Sequence, residues 1–298
     1  MIKVSVLTPV FNEKRYIKEA VESVLSQDGN FEIEMIVVDD FSTDGTFEYV
    51  EQNFANDNRV KCIRNSVKGK NNAFNCAYDN STGNYFILLG GDDVLTKNSV
   101  QQRLDPVLKF GGNQPAVSFC KLKMISQIAR FNGVVTPKGT SKGSVSGGCI
   151  LYNKHFAEMC FPLPTSLPNE DGWIVNHTKY FKNVHVYHVS KIGLLYRIHE
   201  GNSLSQTVSF SEKTNKLNRR FIVHSIFLEK YRGKLTDSAK KELSVLSTLE
   251  MLRFSGSWLS ILFFKNITLY QKARFIFHSN SLFYWFRNRF FRLFSGLS

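Results

Sequence analysis

The segment Tyr85-Phe-Ile-Leu-Leu-Gly-Gly-Asp-Asp, residues 85–93, decides the fold of this chain. Its five apolar or aromatic residues are typical of a strand buried on both faces. Two glycines then precede the adjacent carboxylates of Asp92 and Asp93. Because buried charge is costly without a partner, the segment predicts a strand that ends at a cleft with a hard cation such as Mg²⁺ or Mn²⁺. An ordinary turn is the alternative that this segment alone leaves open.

Strand-like and helix-like segments alternate through the first part of the chain. The strand patterns cover residues 3–8, 32–38, 60–64, 85–89 and 116–120. Helical patterns fill the intervals, and the helix after the fourth strand is expected to begin near Thr96. This alternation predicts an α/β fold with a mostly parallel sheet, whose ligands bind beyond the carboxyl ends of the strands. Three loops expected at that edge carry candidate ligands, namely Thr8-Pro9, Asp39-Asp40 and Asp92-Asp93.

The composition narrows the class of protein. The 298 residues carry 38 Lys and Arg against 25 Asp and Glu, and the net charge of +13 favours anionic partners. No apolar run reaches the ~20 residues that a membrane-spanning helix needs, and the first residues lack the long apolar stretch of a signal peptide. The five cysteines are odd in number and lack metal-ligand spacing, which predicts reduced thiols in a cytosolic compartment.

Five motifs, taken in chain order, resemble those of the inverting family-2 glycosyltransferases, which have the GT-A fold. The motifs are Val4-Ser-Val-Leu-Thr-Pro-Val-Phe-Asn-Glu, Val37-Val-Asp-Asp-Phe-Ser-Thr-Asp-Gly-Thr, Gly83-Asn-Tyr-Phe-Ile-Leu-Leu-Gly-Gly-Asp-Asp, Glu170-Asp171 and Tyr196-Arg-Ile-His-Glu-Gly-Asn-Ser-Leu-Ser. The resemblance spans residues 1 to about 205 and implies a Rossmann-like central sheet flanked by helices. It implies a catalytic domain at 1–208, with a nucleotide-sugar half at 1–95 and an acceptor half at 96–208. The C-terminal third lies outside the resemblance, and its own pattern predicts a helical extension at 209–298.

The resemblance also implies where a nucleotide-sugar donor binds. The implied donor-binding residues are Thr8, Pro9, Val10, Phe11, Glu13, Asp40, Lys70 and Asp92. Asp40 is expected to accept the N3 proton of a pyrimidine base, which favours a UDP-linked donor, while Asp39 or Asp44 organises the turn. Lys70 is the candidate replacement for an arginine that many relatives carry where this chain has Phe74, with a solvated lysine as the alternative.

The metal ligands follow from the same resemblance. Asp93 corresponds to the direct ligand of Mn²⁺ or Mg²⁺, and Asp92 to a carboxylate on the ribose or metal side. His199 is a second candidate ligand, since relatives place a residue there near the metal or the diphosphate, and a structural or surface histidine is the alternative. The chain departs from the commonest family form at Gly90, where relatives carry a further Asp, and this departure puts the ribose contact in question.

Asp171 resembles the catalytic base of the family. The reaction needs one carboxylate within hydrogen-bond reach of the acceptor hydroxyl. That carboxylate takes the proton as the hydroxyl oxygen attacks the anomeric carbon opposite the departing diphosphate, and this single displacement inverts the configuration. Metal charge stabilises the leaving group. The alternative is that Glu170 and Asp171 only place favourable charge at a helix N-terminus.

The end of the chain has a distinct pattern. Residues 251–298 contain seven Lys or Arg, fourteen aromatic residues and no Asp or Glu. A helical wheel over residues 281–294 puts apolar residues on one arc, and Tyr284 and Trp285 among the basic residues of the other. A basic amphipathic helix is typical of an anchor in an anionic membrane surface, to which residues 258–264 add a second apolar contact. A helix packed on the catalytic domain or on a second subunit is the alternative.

The family resemblance implies a metal-dependent inverting glycosyltransferase of the hexosyltransferase type. It is expected to move a sugar from a nucleotide diphosphate sugar to a glycan or polyprenyl-linked acceptor in bacterial surface polysaccharide synthesis. The expected location is cytoplasmic, peripheral on the inner face of the cytoplasmic membrane. Nucleic acid is not an expected partner, because the tail is too amphipathic for a basic groove interleaved with aromatics.

Three other functions compete with this prediction. A nucleotidyltransferase and a nicotinamide dehydrogenase are disfavoured because no glycine-rich phosphate loop follows the first strand. A catalytically impaired transferase-like scaffold that binds membranes stays open; Gly90 and Phe74 favour it, whereas Asp93 and Asp171 oppose it. The sequence leaves open the donor sugar, the acceptor, the linkage position and the oligomeric state.

Overall fold

A computed structural model of the chain describes residues 1–199 and 209–289. The chain divides into two compact units, residues 1–204 and 205–298. In the described part of the first unit, nine strands form one sheet: β1 (Lys3–Val10), β2 (Glu32–Asp39), β3 (Val60–Arg64), β4 (Tyr85–Leu88), β5 (Val94–Leu95), β6 (Ala116–Ser126), β7 (Val135–Thr136), β8 (Ile150–Asn153) and β9 (His185–Ile198). The helices of this unit are α1 (Ile17–Leu25), α2 (Thr46–Phe54), α3 (Lys70–Asp79), α4 (Ser99–Gly111), α5 (Lys154–Cys160) and α6 (Asp171–Tyr180).

One half of the sheet is parallel and has the strand order β3-β2-β1-β4. β1 pairs with β2 up to Val10 opposite Asp39, and with β4 up to Leu7 opposite Leu88. The chain moves outward from β1 to β3 and returns to the other side of β1 for β4. This reversal leaves a crevice beyond the carboxyl ends of β1 and β4, which is where ligands bind in such sheets.

The parallel half of the sheet is buried in a core, which explains why local sequence patterns predict its strands well. β1 is buried from Val4 to Val10, and β2 is buried from Met35 to Asp39. Helix α1 packs its apolar stripe into the same core with Ile17, Ala20, Val21 and Val24, at the i, i+3, i+4, i+7 spacing of one helix face. Each fully buried Val or Ile contributes about 1.5–3 kcal/mol, so pairing and packing favour the same register.

The other half of the sheet mixes strand directions. β8 lies antiparallel between β4 and β6, and β9 runs parallel to β6 from Ala116 opposite His185 to Ser126 opposite Ile198. The parallel pairs are the longer ones, so the predicted mostly parallel sheet is confirmed. Because β8 is antiparallel to β4, it begins at the edge where β4 ends. The turn before β8 and the end of β4 therefore meet at the crevice.

Two predicted boundaries are wrong. The helix expected to begin near Thr96 begins at Ser99, because β5 precedes it and the Thr96 hydroxyl donates to the carbonyl of Ile192 at 2.8 Å instead of capping a helix. β1 extends to Val10, two residues beyond the predicted end, because β2 pairs with it over that length. Thr8, Pro9 and Val10 are therefore buried strand residues and not loop residues.

The described part of the second unit is helical. Its helices are α7 (Phe210–Phe221), α8 (Val223–Tyr231), α9 (Asp237–Phe254), α10 (Trp258–Leu262), α11 (Leu269–Ile276) and α12 (Ser281–Arg289). A small core holds Leu249, Ile261 and Phe275 together. Arg253 and Glu250 form a buried ion pair, with a distance of 2.5 Å between Nη2 and Oε1. Across residues 1–199 and 209–289, no helix is long and apolar enough to cross a membrane.

Candidate active site

Three potential metal ligands meet at the crevice: Glu13, Asp92 and His199. Their ligand atoms all lie within 4.8 Å of one another. Glu13 follows β1, Asp92 follows β4 and His199 follows β9, so three separate strands supply the cluster. The Nε2 atom of His199 lies 3.2 Å from Asp92 Oδ2, and the ring of Tyr16 lies beside the imidazole, with 4.9 Å between ring centroids. Two carboxylates and an imidazole form a donor set that suits Mn²⁺.

The electrostatics of Glu13 show that the cluster is short of positive charge. Burial, together with the negative charges of Asp92 and Asp44, raises the pKa of Glu13 to about 8. The Oε2 atom of Glu13 is buried and has no hydrogen-bond partner. A cation would offset the repulsion and give this oxygen a partner. The residues present therefore fit a bound divalent metal.

Asp93 lies beside this cluster and is held by the protein. Its Oδ1 accepts a hydrogen bond from the backbone N–H of Arg197 at 3.0 Å, and its side chain is buried. Burial and the charge of Asp92 raise the pKa of Asp93 well above its usual range. Arg197 also donates to the carbonyl of Asp92 at 2.9 Å, which fixes the turn. The cluster contains Glu13 and Asp92 in place of Asp93, so direct metal ligation by Asp93 stays a prediction.

Gly90 accounts for the space that these acids occupy. A Cβ atom built on Gly90 would lie 2.8 Å from Asp92 Oδ1 and 3.3 Å from Asp93 Oδ2. A side chain at this position would displace at least the first carboxylate, because the shorter distance is below van der Waals contact. The departure from the common family form therefore leaves room for the arrangement seen here.

Asp171, the predicted base, is the first residue of α6. Its Oδ1 accepts a hydrogen bond from the backbone N–H of Gly147 at 2.8 Å, and its Oδ2 accepts one from the Asn169 amide at 3.0 Å. A Cβ atom on Gly147 would lie only 2.5 Å from Oε1 of Glu170. Glycine is therefore needed for this close approach, and the two donors fix the direction of the carboxylate.

Lys70 forms an ion pair next to the base. Its Nζ lies 3.0 Å from Oε2 of Glu170, whose side chain is 4% exposed, whereas the side chain of Lys70 is 46% exposed. Although desolvation opposes it, the negative charges of Glu170 and Asp171 raise the pKa of Lys70. The pair joins the N-terminus of α3 to that of α6. Because the ammonium already contacts Glu170, donor binding by Lys70 stays a prediction.

Tyr196, on β9, lies close enough to both Asp92–Asp93 and Asp171 for their charges to shift its pKa. Burial and the charges of Asp93 and Asp92 raise the pKa of Tyr196 to about 12, and Asp171 adds to the same shift. The phenol therefore stays protonated near carboxylates of both groups. Lys70 in turn lowers the pKa of Asp93, against the larger effect of burial. The metal-side acids and the base thus belong to one electrostatic neighbourhood.

Asp40 is connected to this neighbourhood through the backbone. Its Oδ1 accepts hydrogen bonds from the Asn65 amide and from the N–H of Gly69, each at 2.8 Å. Gly69 directly precedes Lys70, so Asp40 helps to position the start of α3. Asp39 accepts a hydrogen bond from the N–H of Ser42 at 3.1 Å, as expected for a turn. Base binding by Asp40 stays a prediction.

The remaining donor-site candidates differ in exposure. Thr8 is fully buried, and its hydroxyl has no hydrogen-bond partner. Pro9 and Val10 are buried in β1. Phe11 is 47% exposed, and the ammonium of Lys68 lies 5.0 Å from its ring centroid. Of the residues 8–11, Phe11 is the one whose side chain is available to a ligand.

Sequence reasoning did not identify the groups that hold the acids in place. Asn169 stands two residues before Asp171, and a polar residue just before a helix is a signal that could have indicated it. Gly147 and the N–H of Arg197 act over long sequence separations through their backbones. Backbone donors have no side-chain signal, so only the fold reveals them.

Comparison with known proteins confirms the resemblance. Residues 5–121 match the family model for glycosyl transferase family 2. The chain is 35% identical over 125 residues to the putative teichuronic acid biosynthesis glycosyltransferase TuaG of Bacillus subtilis, covering 42% of this chain and 48% of TuaG. It is 42% identical over 101 residues to the Escherichia coli UDP-Glc:alpha-D-GlcNAc-diphosphoundecaprenol beta-1,3-glucosyltransferase WfaP, covering 33% of this chain and 39% of WfaP.

The fold is also that of a known group of structures. The crystal structure of S. aureus TarS in complex with UDP-GlcNAc matches with a TM-score of 0.62 and 19% identity, over 95% of this chain and 83% of that chain. The predicted GT-A fold is therefore confirmed. The chain spans about a third to a half of the length of the curated relatives it matches.

Proposed function

This chain carries a family-2 glycosyltransferase domain, and on that premise we propose that it transfers a sugar, with inversion, from a UDP-linked donor to a glycan acceptor. The observation that carries the proposal is the Asp171 carboxylate, held by Gly147 and Asn169 in the electrostatic neighbourhood of Asp92 and Asp93. A base and a donor-binding acidic cluster at one crevice are the two parts that such a transfer needs.

Asp171 acts as the general base in the proposed reaction. The acceptor hydroxyl gives its proton to a carboxylate oxygen of Asp171 while its own oxygen bonds to the anomeric carbon. The bond from that carbon to the diphosphate oxygen breaks on the opposite face, so an α-linked donor gives a β-linked product. Gly147 and Asn169 each occupy one lone pair of the carboxylate and fix its direction before the substrate arrives. Such orientation lowers the barrier by avoiding reorganisation during the reaction.

Glu13, Asp92 and His199 would hold a divalent metal, Mn²⁺ or Mg²⁺. The metal, when bound, supplies positive charge that stabilises the departing diphosphate. The fit of these residues rests on the buried, unpartnered Oε2 of Glu13 and on the burial and neighbouring carboxylates that raise the pKa of Glu13. Asp93 and Arg197 keep the turn that carries Asp92 in place.

The names of similar proteins support the substrate class. WfaP acts on a diphosphoundecaprenol-linked sugar with UDP-Glc, and TarS has been crystallised with UDP-GlcNAc. We propose a UDP-linked hexose donor and a glycan or lipid-linked glycan acceptor in bacterial polysaccharide synthesis. With a lipid-linked acceptor, we propose a location on the inner face of the cytoplasmic membrane, held there by the predicted basic aromatic tail at 281–298, of which 290–298 lie outside the described residues.

The decisive experiment measures donor binding and transfer together. Wild-type protein with Mn²⁺ should gain thermal stability from UDP-sugars, because a ligand that binds only the folded state stabilises it. Asp92→Asn should weaken that gain, whereas Asp79→Asn, at the far end of α3, should leave it unchanged. Release of UDP in the presence of glycan acceptors should then identify the donor.

The alternative of an impaired scaffold makes a different prediction. A scaffold without transferase function would show no stabilisation by any nucleotide sugar, with or without Mn²⁺, and no release of UDP. That result would overturn the proposed activity. Stabilisation by the donor together with UDP release would leave the scaffold interpretation without support.

A further inference from the structure

Helix α10 of the second unit is apolar on two faces. Ile261 is fully buried and packs in the small core with Phe275. Leu259, Leu262 and Phe263 are exposed, the last of them to 75%. Their i, i+3, i+4 spacing places these three side chains on one helix face, and within the described residues that face is left to solvent.

Helix α12 repeats this arrangement. Leu282, Trp285 and Phe286 have the same spacing and are all exposed, whereas Tyr284 is buried. Residues 290–294 of the helical wheel lie outside the described residues. Within 281–289, Phe283 shares the apolar arc of the wheel with Leu282 and Phe286, yet it is partly buried, whereas Trp285 is exposed. The reason is packing, because Phe283 contacts Trp258 at the start of α10 with 5.5 Å between ring centroids. The two helices with exposed apolar faces are therefore neighbours.

The connection from α10 to α11 adds basic and aromatic side chains. Lys265 is exposed in this connection. Leu269 and Tyr270 open α11 and are 80% and 78% exposed. Lys272 donates from its Nζ to the carbonyl of Leu262 at 2.6 Å, which keeps a positive charge at the end of α10. Residues 251–298 contain no carboxylate side chain, so the apolar surface is combined with positive charge alone.

The charge of this surface decides between its possible occupants. A second copy of the chain would bring the same cations and, from this segment, no acid to pair with them. An anionic bilayer supplies the missing negative charge in its headgroups and an apolar phase for Leu and Phe side chains below them. Tyr and Trp side chains favour the interface between the two phases.

We propose that Leu259, Leu262 and Phe263, together with Leu269 and Tyr270, insert into the headgroup region of an anionic lipid bilayer. The inserted surface lies on α10 and α11, and Lys265 contacts the lipid phosphates. It adjoins α12, the described part of the predicted tail anchor at 281–298, through the contact of Phe283 with Trp258. The inference rests on the membrane location in the proposed function and adds a defined contact surface to it.

Co-flotation of the full chain with vesicles tests this surface. The wild type should bind vesicles of phosphatidylcholine with phosphatidylglycerol and bind phosphatidylcholine alone far more weakly. The double variant Leu262→Ser with Phe263→Ser should bind the anionic vesicles at least about tenfold more weakly, because it removes two inserting side chains. The matched control Val67→Ser with Val186→Ser changes exposed apolar residues of the first unit and should bind as the wild type does.

A charge variant provides an independent measurement. Lys265→Gln should weaken binding to anionic vesicles by about fivefold at low salt, the effect of one basic residue near such a surface. Added salt should reduce this difference, because it screens exposed charges. An effect of Lys265→Gln that is the same on neutral and anionic vesicles would contradict the role of lipid charge.

Different results would contradict the membrane-surface proposal in different ways. Unchanged vesicle binding by the Leu262 and Phe263 double variant would overturn the proposal. A wild type that sediments as a multimer, with a double variant that sediments as a monomer, would assign the surface to a second copy instead. Thermal stabilisation by UDP-sugars is measured on every variant, so loss of vesicle binding with that response intact separates this inference from failure of the proposed transferase function.

Discussion

The two acidic regions of the crevice differ in how far the protein itself completes them. On the metal side, the buried Oε2 of Glu13 has no hydrogen-bond partner, and burial, together with neighbouring carboxylates, raises the pKa of Glu13 to about 8. On the base side, each oxygen of Asp171 accepts a hydrogen bond, and Glu170 is paired with Lys70. Glu13 therefore lacks a cationic partner on the metal side, whereas on the base side the ammonium of Lys70 already lies 3.0 Å from Glu170.

The metal side therefore gains stability when a ligand binds, whereas the direction of the base is fixed before a ligand binds. A cluster of closely spaced, partly buried carboxylates costs stability until a cation binds, so it favours metal binding over an empty state. A carboxylate with fixed hydrogen bonds gains little from a ligand, but it presents its remaining lone pairs in a constant direction. Substitutions in the two regions should therefore change different measurable quantities.

The largest effect is expected from Asp171→Asn. Loss of the general base should lower kcat by about 100- to 10,000-fold, while stabilisation by UDP-sugar with Mn²⁺ stays close to that of the wild type. Asp237→Asn is the matched control, because Asp237 is also the first residue of a helix. If both variants lose activity equally, or if Asp171→Asn retains full activity, Asp171 serves only the helix terminus.

Gly147→Ala should give the next largest effect. The added Cβ would lie 2.5 Å from Glu170 Oε1, so the turn must shift and the hydrogen bond to Asp171 lengthen. We expect kcat to fall by about 10- to 100-fold, the cost of a misplaced catalytic group, with Mn²⁺ binding unchanged. Gly233→Ala, which has no atom within 4 Å of its Cβ position, is the control. A normal rate for Gly147→Ala would show that this hydrogen bond does not position the base.

Lys70→Met tests whether the base side depends on its ion pair for stability. Glu170 would keep a buried carboxylate without its cationic partner, which should lower the free energy of unfolding by about 1–3 kcal/mol. Urea denaturation measures this change, and Lys191→Met, at an exposed position of β9, should cost far less. Equal stability of both variants would mean that the Lys70–Glu170 pair contributes nothing beyond a surface contact.

His278 is a partly buried titratable group of the second unit. Burial, reinforced by the positive charges of Arg287, Lys213, Arg253 and Arg274, lowers the pKa of His278 to about 3. The unfolded chain binds a proton at this histidine below about pH 6.5 and the folded chain does not. The stability that neutral His278 contributes is therefore present above about pH 6.5 and is lost as the pH falls towards 3.

The loss of folding stability at acid pH can be measured as a change in melting temperature. Between pH 7 and pH 5, His278 should account for up to about 2 kcal/mol of lost stability. His278→Asn should show a smaller loss of melting temperature over that interval than the wild type. The same loss in both proteins would assign the acid sensitivity to other groups.

Local sequence patterns predicted the parallel half of the sheet well. Residues such as Val4 to Leu7 and Met35 to Val38 are apolar on both faces, and the intervening helices have clear stripes, so short-range information suffices. β8 and β9 were not predicted, because their pairing with β4 and β6 depends on residues far away in the chain. The end of β1 was misplaced for the same reason.

The site was predictable to the extent that side-chain chemistry marks it. Asp92, Asp171 and His199 stand in the motifs that carry the family resemblance, and their carboxylates and imidazole are side chains that can bind a metal or take a proton. The backbone donors of Gly147 and Arg197 have no such mark, and their importance follows from the turn before β8 and the end of β9. The sequence therefore predicts the acidic side chains, but the backbone groups that donate hydrogen bonds to them can be found only in the folded structure.

The central claim is that Glu13, Asp92 and His199 bind a divalent cation, and the electron paramagnetic resonance signal of free Mn²⁺ tests it most directly. Adding wild-type protein to Mn²⁺ should reduce this signal, because bound Mn²⁺ does not contribute to it. Glu13→Gln should weaken the affinity for Mn²⁺ by at least about tenfold. The exposed control Glu51→Gln should bind Mn²⁺ as the wild type does. Equal Mn²⁺ affinity in wild type and Glu13→Gln, with affinity lost in Asp93→Asn, would contradict the claim and assign the metal to Asp93.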